Sequence, residues 1–413
     1  MPSRSAPSIL SAEDRVMPPT APPPSSLPSR PASGSVAEVA RLFLRLGVVG
    51  FGGPAAHIAM MEDEVVRRRG WLSRERFLDL LAATNLIPGP NSTEMAIHLG
   101  YVRAGWPGLL LGGACFIVPS ALIVLAFAVA YVRWGELPEA AWLLYGIKPV
   151  IVAVIVQALW RLARTALATR LVAAVAGAAA ILALGGANEL LVLFAGAVAV
   201  PVARVAGRGA NPEARLGLVA LGPPLLPATL AAAGVAPAGP SLLGLFLIFL
   251  KVGSILFGSG YVLLAFLRPD LVERTGWLTD RQLLDAIAVG QLTPGPVLTT
   301  ATFVGYVVAG VPGAVLATVG IFLPSFVLVA LSSPFLPRLR RSACAAAFLD
   351  GARAASVALM AVVTWQLGRA AVVDVPAALL TLAAGALVFG TRLNSAWVVV
   401  GGAFAGGLLG LLR

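Results

Sequence analysis

The chain repeats itself, and the repeat constrains its fold more than any other feature. Phe51-Gly52-Gly53-Pro54 is matched by Phe257-Gly258-Ser259-Gly260. Gly70-Trp71-Leu72-Ser73 is matched by Gly276-Trp277-Leu278-Thr279, and Pro88-Gly89-Pro90 by Pro294-Gly295-Pro296, all at a separation of 206 residues. One residue is then lost. Gly105-Trp106-Pro107-Gly108 pairs with Gly310-Val311-Pro312-Gly313 and Pro119-Ser120 with Pro324-Ser325, now 205 apart. Gly146, Trp160 and Arg164 continue the register in Gly351, Trp365 and Arg369. A register held over about 120 residues is a duplication. It divides the chain into a tail (1–35), a first unit (36–206), a connector (207–240) and a second unit (241–413).

Composition says where such a duplicated unit can live. Hydrophobic residues make up 58% of the 413 and charged residues 12%, with a mean hydropathy of +0.89. Soluble domains are about 45–50% apolar and about 25% charged, so a soluble enzyme, a disordered protein and a disulfide scaffold are all excluded. At about 20 residues per crossing, the chain has room for about ten to thirteen membrane spans. The net charge of +11 would suggest nucleic acid in a soluble protein. Here the arginines sit mostly at the ends of apolar runs, as in cytoplasmic loops, and no nucleic-acid partner is expected. Cys115 and Cys344 lie in apolar stretches and imply no disulfide framework. Nothing in the sequence calls for a metal or cofactor.

Residues 1–35 are rich in Pro and Ser and hold no apolar run long enough for a signal peptide; they read as a disordered extramembrane segment. Spans are expected near 36–54, 108–132, 141–160, 171–187 and 190–206, and again near 241–260, 313–333, 346–366, 375–390 and 395–412. The segments 74–104 and 280–309 differ. Each is two short helical stretches split by Pro-Gly-Pro, too short singly to cross about 30 Å. Proline breaks a helix and lacks an N–H. In hydrocarbon, such a break is tolerated only when buried in protein or lining a watery cavity. Broken or re-entrant helices are therefore expected at both.

Loop charge addresses orientation. The loop 133–140 carries Arg133, Glu136 and Glu139, whereas its counterpart 338–345 carries Arg338, Arg340 and Arg341. The next pair reverses the bias: 161–170 holds Arg161, Arg164 and Arg170, while 366–375 holds Arg369 and Asp374. By the positive-inside rule the two units are inserted upside down relative to each other. The expected fold class is thus an all-α polytopic membrane protein of two inverted-topology repeats, with the substrate site at the repeat interface.

Four cations inside apolar stretches also obey the repeat: Arg45 with Lys251, and Lys148 with Arg353. Lys148 and Lys251 are the only lysines. A charge at the bilayer centre costs at least about 2.5–3.5 kcal/mol on insertion scales, so it faces a polar interior or a partner. Span carboxylates read as fewer: Glu38, Asp350 and Glu94. The cation excess, and the helix N-termini that follow each Pro-Gly-Pro, suit an anion. Asn85, Asn91, Ser92 and Thr93 in one unit, and Gln291, Thr299 and Thr300 in the other, can add hydrogen bonds. The expected site is an oxyanion cage. A blander reading has Arg45 snorkelling or pairing with Glu38. Glu94, Asp350 and His57 are candidates for proton coupling, and His57 and His98 could equally make local hydrogen bonds.

Phe-Gly-Gly-Pro after the first span, Gly-Trp-Leu before the short helix, and Pro-Gly-Pro at 88–90 and 294–296 resemble the chromate transporter (CHR) family in its long-chain, two-domain form. The resemblance covers about 36–400. It implies a bacterial or archaeal inner-membrane carrier that exports chromate and confers resistance to it, with sulfate as a competing analogue. Asn85-Leu86-Ile87 precedes the first Pro-Gly-Pro where the second unit keeps the more familiar Gln291-Leu292-Thr293, and Ser259-Gly260 replaces Gly-Pro. Three other readings stand beside export. Import of sulfate or another oxyanion differs in flux direction. A membrane enzyme acting on a lipid phosphate needs a dense carboxylate or histidine constellation, and a channel would not saturate.

Overall fold

The computed structural model describes residues 35–85, 87–135, 137–207, 239–257, 260–332, 342–391 and 393–411. Most of the tail, connector residues 208–238, Gly258, Ser259 and the arginines of 338–341 lie outside the described residues.

The regular elements among the described residues are all helices. The first unit runs α1 (Val36–Val49), α2 (Gly53–Glu62) prolonged by a π-helical turn (Asp63–Arg68), α3 (Arg74–Thr84), α4 (Asn91–Trp134), α5 (Pro138–Ala166), α6 (Arg170–Leu184) and α7 (Glu189–Gly207). The second runs α8 (Leu242–Ile255), α9 (Leu263–Leu267) prolonged by a π-helical turn (Arg268–Arg274), α10 (Asp280–Leu292), α11 (Thr300–Ser332), α12 (Ala343–Ala371), α13 (Val375–Gly390) and α14 (Ser395–Leu411). The starts have local causes. Thr169, Ser241, Ser342 and Asp374 each accept a bond from the backbone N–H three residues on, which satisfies a donor that the first turn leaves unpaired. Thr279 and Gln282 close a reciprocal capping box at the head of α10.

Among the described residues, five helices are long and apolar enough to cross a bilayer: 91–134, 140–166, 189–206, 297–331 and 343–371. Shorter apolar helices occupy 170–184, 242–255, 375–390 and 395–411. Leu110, Leu122, Ile181, Leu191, Trp365, Trp397 and Phe404 all face outward, an apolar exterior that only lipid can solvate well. The protein is an all-α polytopic membrane protein.

Two breaks recur at matched positions. The backbone of α4 leaves the helix at Ala104 and Gly105 (φ 63°, ψ −148°), and that of α11 at Ala309 and Gly310 (φ 64°, ψ −154°). The long spans therefore begin near Trp106 and Val311. Ahead of them lie two short limbs joined by Pro-Gly-Pro: α3, of 11 residues and about 16 Å long, and the limb 91–103. Neither could span about 30 Å.

The packing interleaves the two units. α1 lies against α4 and α8 against α11; α4 meets its own counterpart α11, and α5 meets its counterpart α12. α6 and α7 leave their own unit to pack on α12, and α13 and α14 pack on α5. A Cβ on Gly351 would strike Gly196, and one on Gly146 would strike Gly402 and Gly406, the small-residue contact that lets membrane helices approach closely. Val152 approaches Gly368, and Leu159 lines the same groove as Ala361.

Candidate functional site

The Pro-Gly-Pro loops lie where the units cross. The Gly89 N–H donates to the Leu256 carbonyl at 2.7 Å, and the Gly295 N–H to the Gly50 carbonyl at 2.7 Å. Gly50 and Leu256 are themselves repeat partners, each at the frayed end of its unit's first helix. Each loop thus plugs the unwound backbone of the other unit. Both glycines have positive φ, 141° and 85°, a region that side chains rarely adopt. A Cβ on Gly295 would come within 2.7 Å of Ser120, and one on Gly89 within 2.7 Å of Ser325 Oγ while striking the Glu94 carboxylate. Ser120 and Ser325 are repeat partners too. The sequence displayed them in the matched Pro-Ser pairs, but hydroxyls on apolar spans gave no reason to place them at the loops.

Helices begin directly after both breaks. α4 starts at Asn91 with Pro90 as its cap, and α11 at Thr300 after a 3-10 turn (Val297–Thr299). Asn91 Nδ2 donates to Asn85 Oδ1 at 2.6 Å and ties the two sides of the first break together. Thr299 Oγ1 is 2.9 Å from Ser120 Oγ and donates to the Pro296 carbonyl, while Thr300 donates to Val297. Ser92, Thr93, Thr299 and Thr300 are buried, and Gln291 is half-buried. Free N–H groups, small polar side chains and tight backbone make a surface that an oxyanion could approach.

The four repeat-matched cations do not gather in one cage. Arg45 is 60% exposed and meets Glu64 at 3.5 Å. Lys251 is half-buried against Asp270 and lies 3.5 Å from Glu189. Lys148 meets Asp285 at 3.4 Å, with Tyr131 Oη donating to the same carboxylate at 3.0 Å. Arg353 donates to the Asn85 carbonyl. The sequence-based impression of few carboxylates is therefore corrected: Glu64, Asp270, Asp285 and Glu189 are nearly buried and supply the missing charge. Two signals were available. Glu64 and Asp270 stand 206 apart, each one turn before a matched arginine, Arg68 or Arg274, and both pairs form. The π-helical turns position them: Arg69 N–H bonds the Glu64 carbonyl and Thr275 N–H that of Asp270, five residues back. Glu38 turns away from Arg45 to Arg103 (2.8 Å), Arg69 and the Trp71 indole.

The remaining sequence candidates fall nearby or at the edge. Gly52 and Gly53 both have positive φ and turn the chain between α1 and α2, with Pro54 in the first turn; Phe51 is exposed and Phe257 half-buried. His57 Nε2 lies 2.9 Å from the Gly50 carbonyl and its ring stands edge-on to Phe116. Asp350 pairs with Arg204 at 2.8 Å. Among the described residues no cluster of His, Cys, Asp and Glu could hold a metal.

The two units differ in how α3 and α10 dock. Along α10, Leu284 and Asp285 are buried, and the helix packs on α5, α12 and α14. Their repeat partners on α3, Leu78 and Asp79, are exposed, and α3 lies chiefly on α4.

Comparison with known proteins places the chain. The pattern of the chromate transporter family matches it twice, over residues 37–200 and 243–407. The chain belongs to the chromate transporter family. A chromate transport protein of Cupriavidus metallidurans is 33% identical over 394 residues, covering 92% of this chain and 97% of its own. One from Pseudomonas aeruginosa is 33% identical over 383 residues, covering 91% and 89%. No solved structure matches. Family membership and the apolar spans make this a multi-pass bacterial membrane protein, and its named relatives point to transport and not to an enzyme.

Proposed function

We propose that this family member exports chromate across the inner membrane by alternating access and so confers chromate resistance, with sulfate as a competing tetrahedral dianion. The observation that carries this reading is the reciprocal plugging of each Pro-Gly-Pro loop, through Gly89 and Gly295, into the unwound end of the other unit's first helix. The substrate would lie between the two helix N-termini, met by Pro88–Thr93 and Pro294–Thr300 with Asn85, Gln291, Ser120 and Ser325 around it. Arg45, Lys148, Lys251 and Arg353, balanced by their partners, would set the field there and hold the moving parts. The opposite loop-charge bias of the two units supports an inverted pair of repeats.

The unequal docking of α3 and α10 supports the cycle. In this conformation Lys148 and Tyr131 latch α10 through Asp285. The repeat equivalents of Lys148 and Asp285 are Arg353 and Asp79. In the opposite end state α3 docks, bringing Asp79 to Arg353, while the Lys148–Asp285 latch opens. A negative cell interior favours departure of a dianion by about 4.6 kcal/mol per 100 mV, enough to drive export without a further coupling ion.

The test is chromate uptake into inside-out vesicles carrying the full chain. Saturable uptake that an interior-positive potential accelerates, and that sulfate inhibits, supports export by a carrier. Uptake that never saturates points to a channel, and chromate movement confined to right-side-out vesicles points to import. Both outcomes overturn the proposal.

A further inference from the structure

The polar groups around the first Pro-Gly-Pro loop have unused bonding capacity. Glu94 is fully buried, and neither carboxylate oxygen has a hydrogen-bond partner among the described residues. Thr93 Oγ1, His98 Nε2 and Ser325 Oγ are buried without partners in the same way. Glu94 and His98 stand four residues apart on α4 and share a face. The space where a Gly89 Cβ would sit is bounded by the Glu94 carboxylate and by Ser325 Oγ. Carboxylate, loop and serine therefore converge on one point. A buried carboxylate is unfavourable unless neutralised or paired.

No charged side chain bonds to Glu94 among the described residues. On α10, which also touches α4, Asp285 is held by Lys148 and Tyr131 and Asp280 by Arg268. α11 carries no charged residue between Thr300 and Ser332. On α1, Arg45 is held by Glu64, and Glu38 by Arg69 and Arg103. On α2, His57 is bonded to the Gly50 carbonyl. On α8, Lys251 is held by Asp270 and Glu189. On α12, Arg353 is bonded to the Asn85 carbonyl and Asp350 to Arg204. On α3, Arg74 pairs with Glu62 and Asp79 is exposed. The second unit has Thr299 and Thr300 at the positions matching Glu94 in the 205- and 206-residue registers, so the carboxylate occurs once per chain.

We propose that Glu94 is the proton-binding group of the transport cycle, protonated whenever an oxyanion lies against Gly89, so that one proton travels with each dianion. A carboxylate and a dianion cannot share so small a buried space, because like charges disfavour each other's ionisation. The neutral acid has one O–H to donate to an oxyanion oxygen. It takes its proton from the side that loads the anion and releases it to the side where the anion leaves. Each turnover then moves one net negative charge and not two. This inference rests on the oxyanion-transport reading above.

The test uses the full chain in proteoliposomes, recording chromate movement chemically and proton movement with a pH electrode in weakly buffered medium. The wild type is expected to move one proton with each chromate, faster as pH falls. Glu94→Gln is expected to move chromate with no accompanying proton and no pH dependence, and Glu94→Asp to keep both. Proton movement in Glu94→Gln equal to the wild type, or none in the wild type, overturns the proposal and leaves oxyanion transport standing. A wild type that moves no chromate overturns the transport reading and this inference with it. Should Glu94→Gln be inert, equilibrium chromate binding to the purified proteins decides. Affinity rising about tenfold per unit fall in pH in the wild type, and flat in the variant, supports the proposal; a wild-type affinity indifferent to pH overturns it.

Discussion

Asp270 and Glu64 occupy matched positions, yet their surroundings set different stakes. Asp270 sits with Lys251, Arg274 and Glu189 in a network whose carboxylates are almost wholly buried. Removing one partner strands a buried charge, which costs about 3–5 kcal/mol. Asp270→Ala is therefore expected to lower the thermal unfolding midpoint in detergent far more than Glu64→Ala. Arg45 and Arg68 beside Glu64 are 60% and 59% exposed and can turn to water, so that loss is on the order of 1 kcal/mol. Equal losses would show that the two clusters carry equal weight. At Gly295 the outcome differs in kind. Its φ of 85° and the 2.7 Å approach to Ser120 leave no room for a methyl group, so Gly295→Ala is expected to cut chromate transport tenfold or more while the protein still reaches the membrane. Transport at the wild-type rate in vesicles would show that the loop is not at the site. Apart from Glu189, the residues of these clusters stand as repeat-matched pairs in the sequence, but which cation meets which carboxylate was not visible there. Glu38 lies seven residues from Arg45, two turns along one helix face, yet goes to Arg103 across a helix interface.

Among the elements, α3 and α10 carry the asymmetry that a transporter needs. Their sequences align, and both precede Pro-Gly-Pro, yet Leu78 is 47% exposed and Leu284 fully buried. A cysteine at Leu78, in a chain with Cys115 and Cys344 replaced, is expected to react quickly with a water-soluble thiol reagent, and a cysteine at Leu284 slowly. Trapping the opposite end state should reverse the order. Identical rates under all conditions would argue that the difference is a fixed feature and not one pose of a cycle. The short limbs and the break at Pro-Gly-Pro were legible in the sequence, because proline at the break forbids helix wherever it lies. The kinks at Gly105 and Gly310 had weaker signals, since Gly-Trp-Pro-Gly and Gly-Val-Pro-Gly fit a turn or a helix start equally well. The π-helical turns had none, because a five-residue bond depends on what the side chains around it require.

For the molecule as a whole, the repeat and the packing make one further prediction. Inverted units open the loops after α5 and α12 on opposite sides of the membrane. A cysteine at Ala168 and one at Val373 should be labelled by an impermeant reagent from opposite faces of oriented vesicles. Labelling of both from one face would mean that the halves are parallel. The sequence by itself determined the duplication, the helical membrane fold, the positions of the breaks and the family resemblance. These rest on periodicity, apolar content and proline geometry, which act locally or through the bilayer. Only the tertiary structure decided that the net positive charge of the interior is offset by Glu64, Asp270, Asp285 and Glu189, that α6–α7 and α13–α14 each cover the other unit, and that Glu94 has no hydrogen-bond partner among the described residues. Those outcomes depend on which buried surfaces meet. In a low-dielectric interior a charge is governed by its neighbour in space, and spacing along the chain does not supply that neighbour.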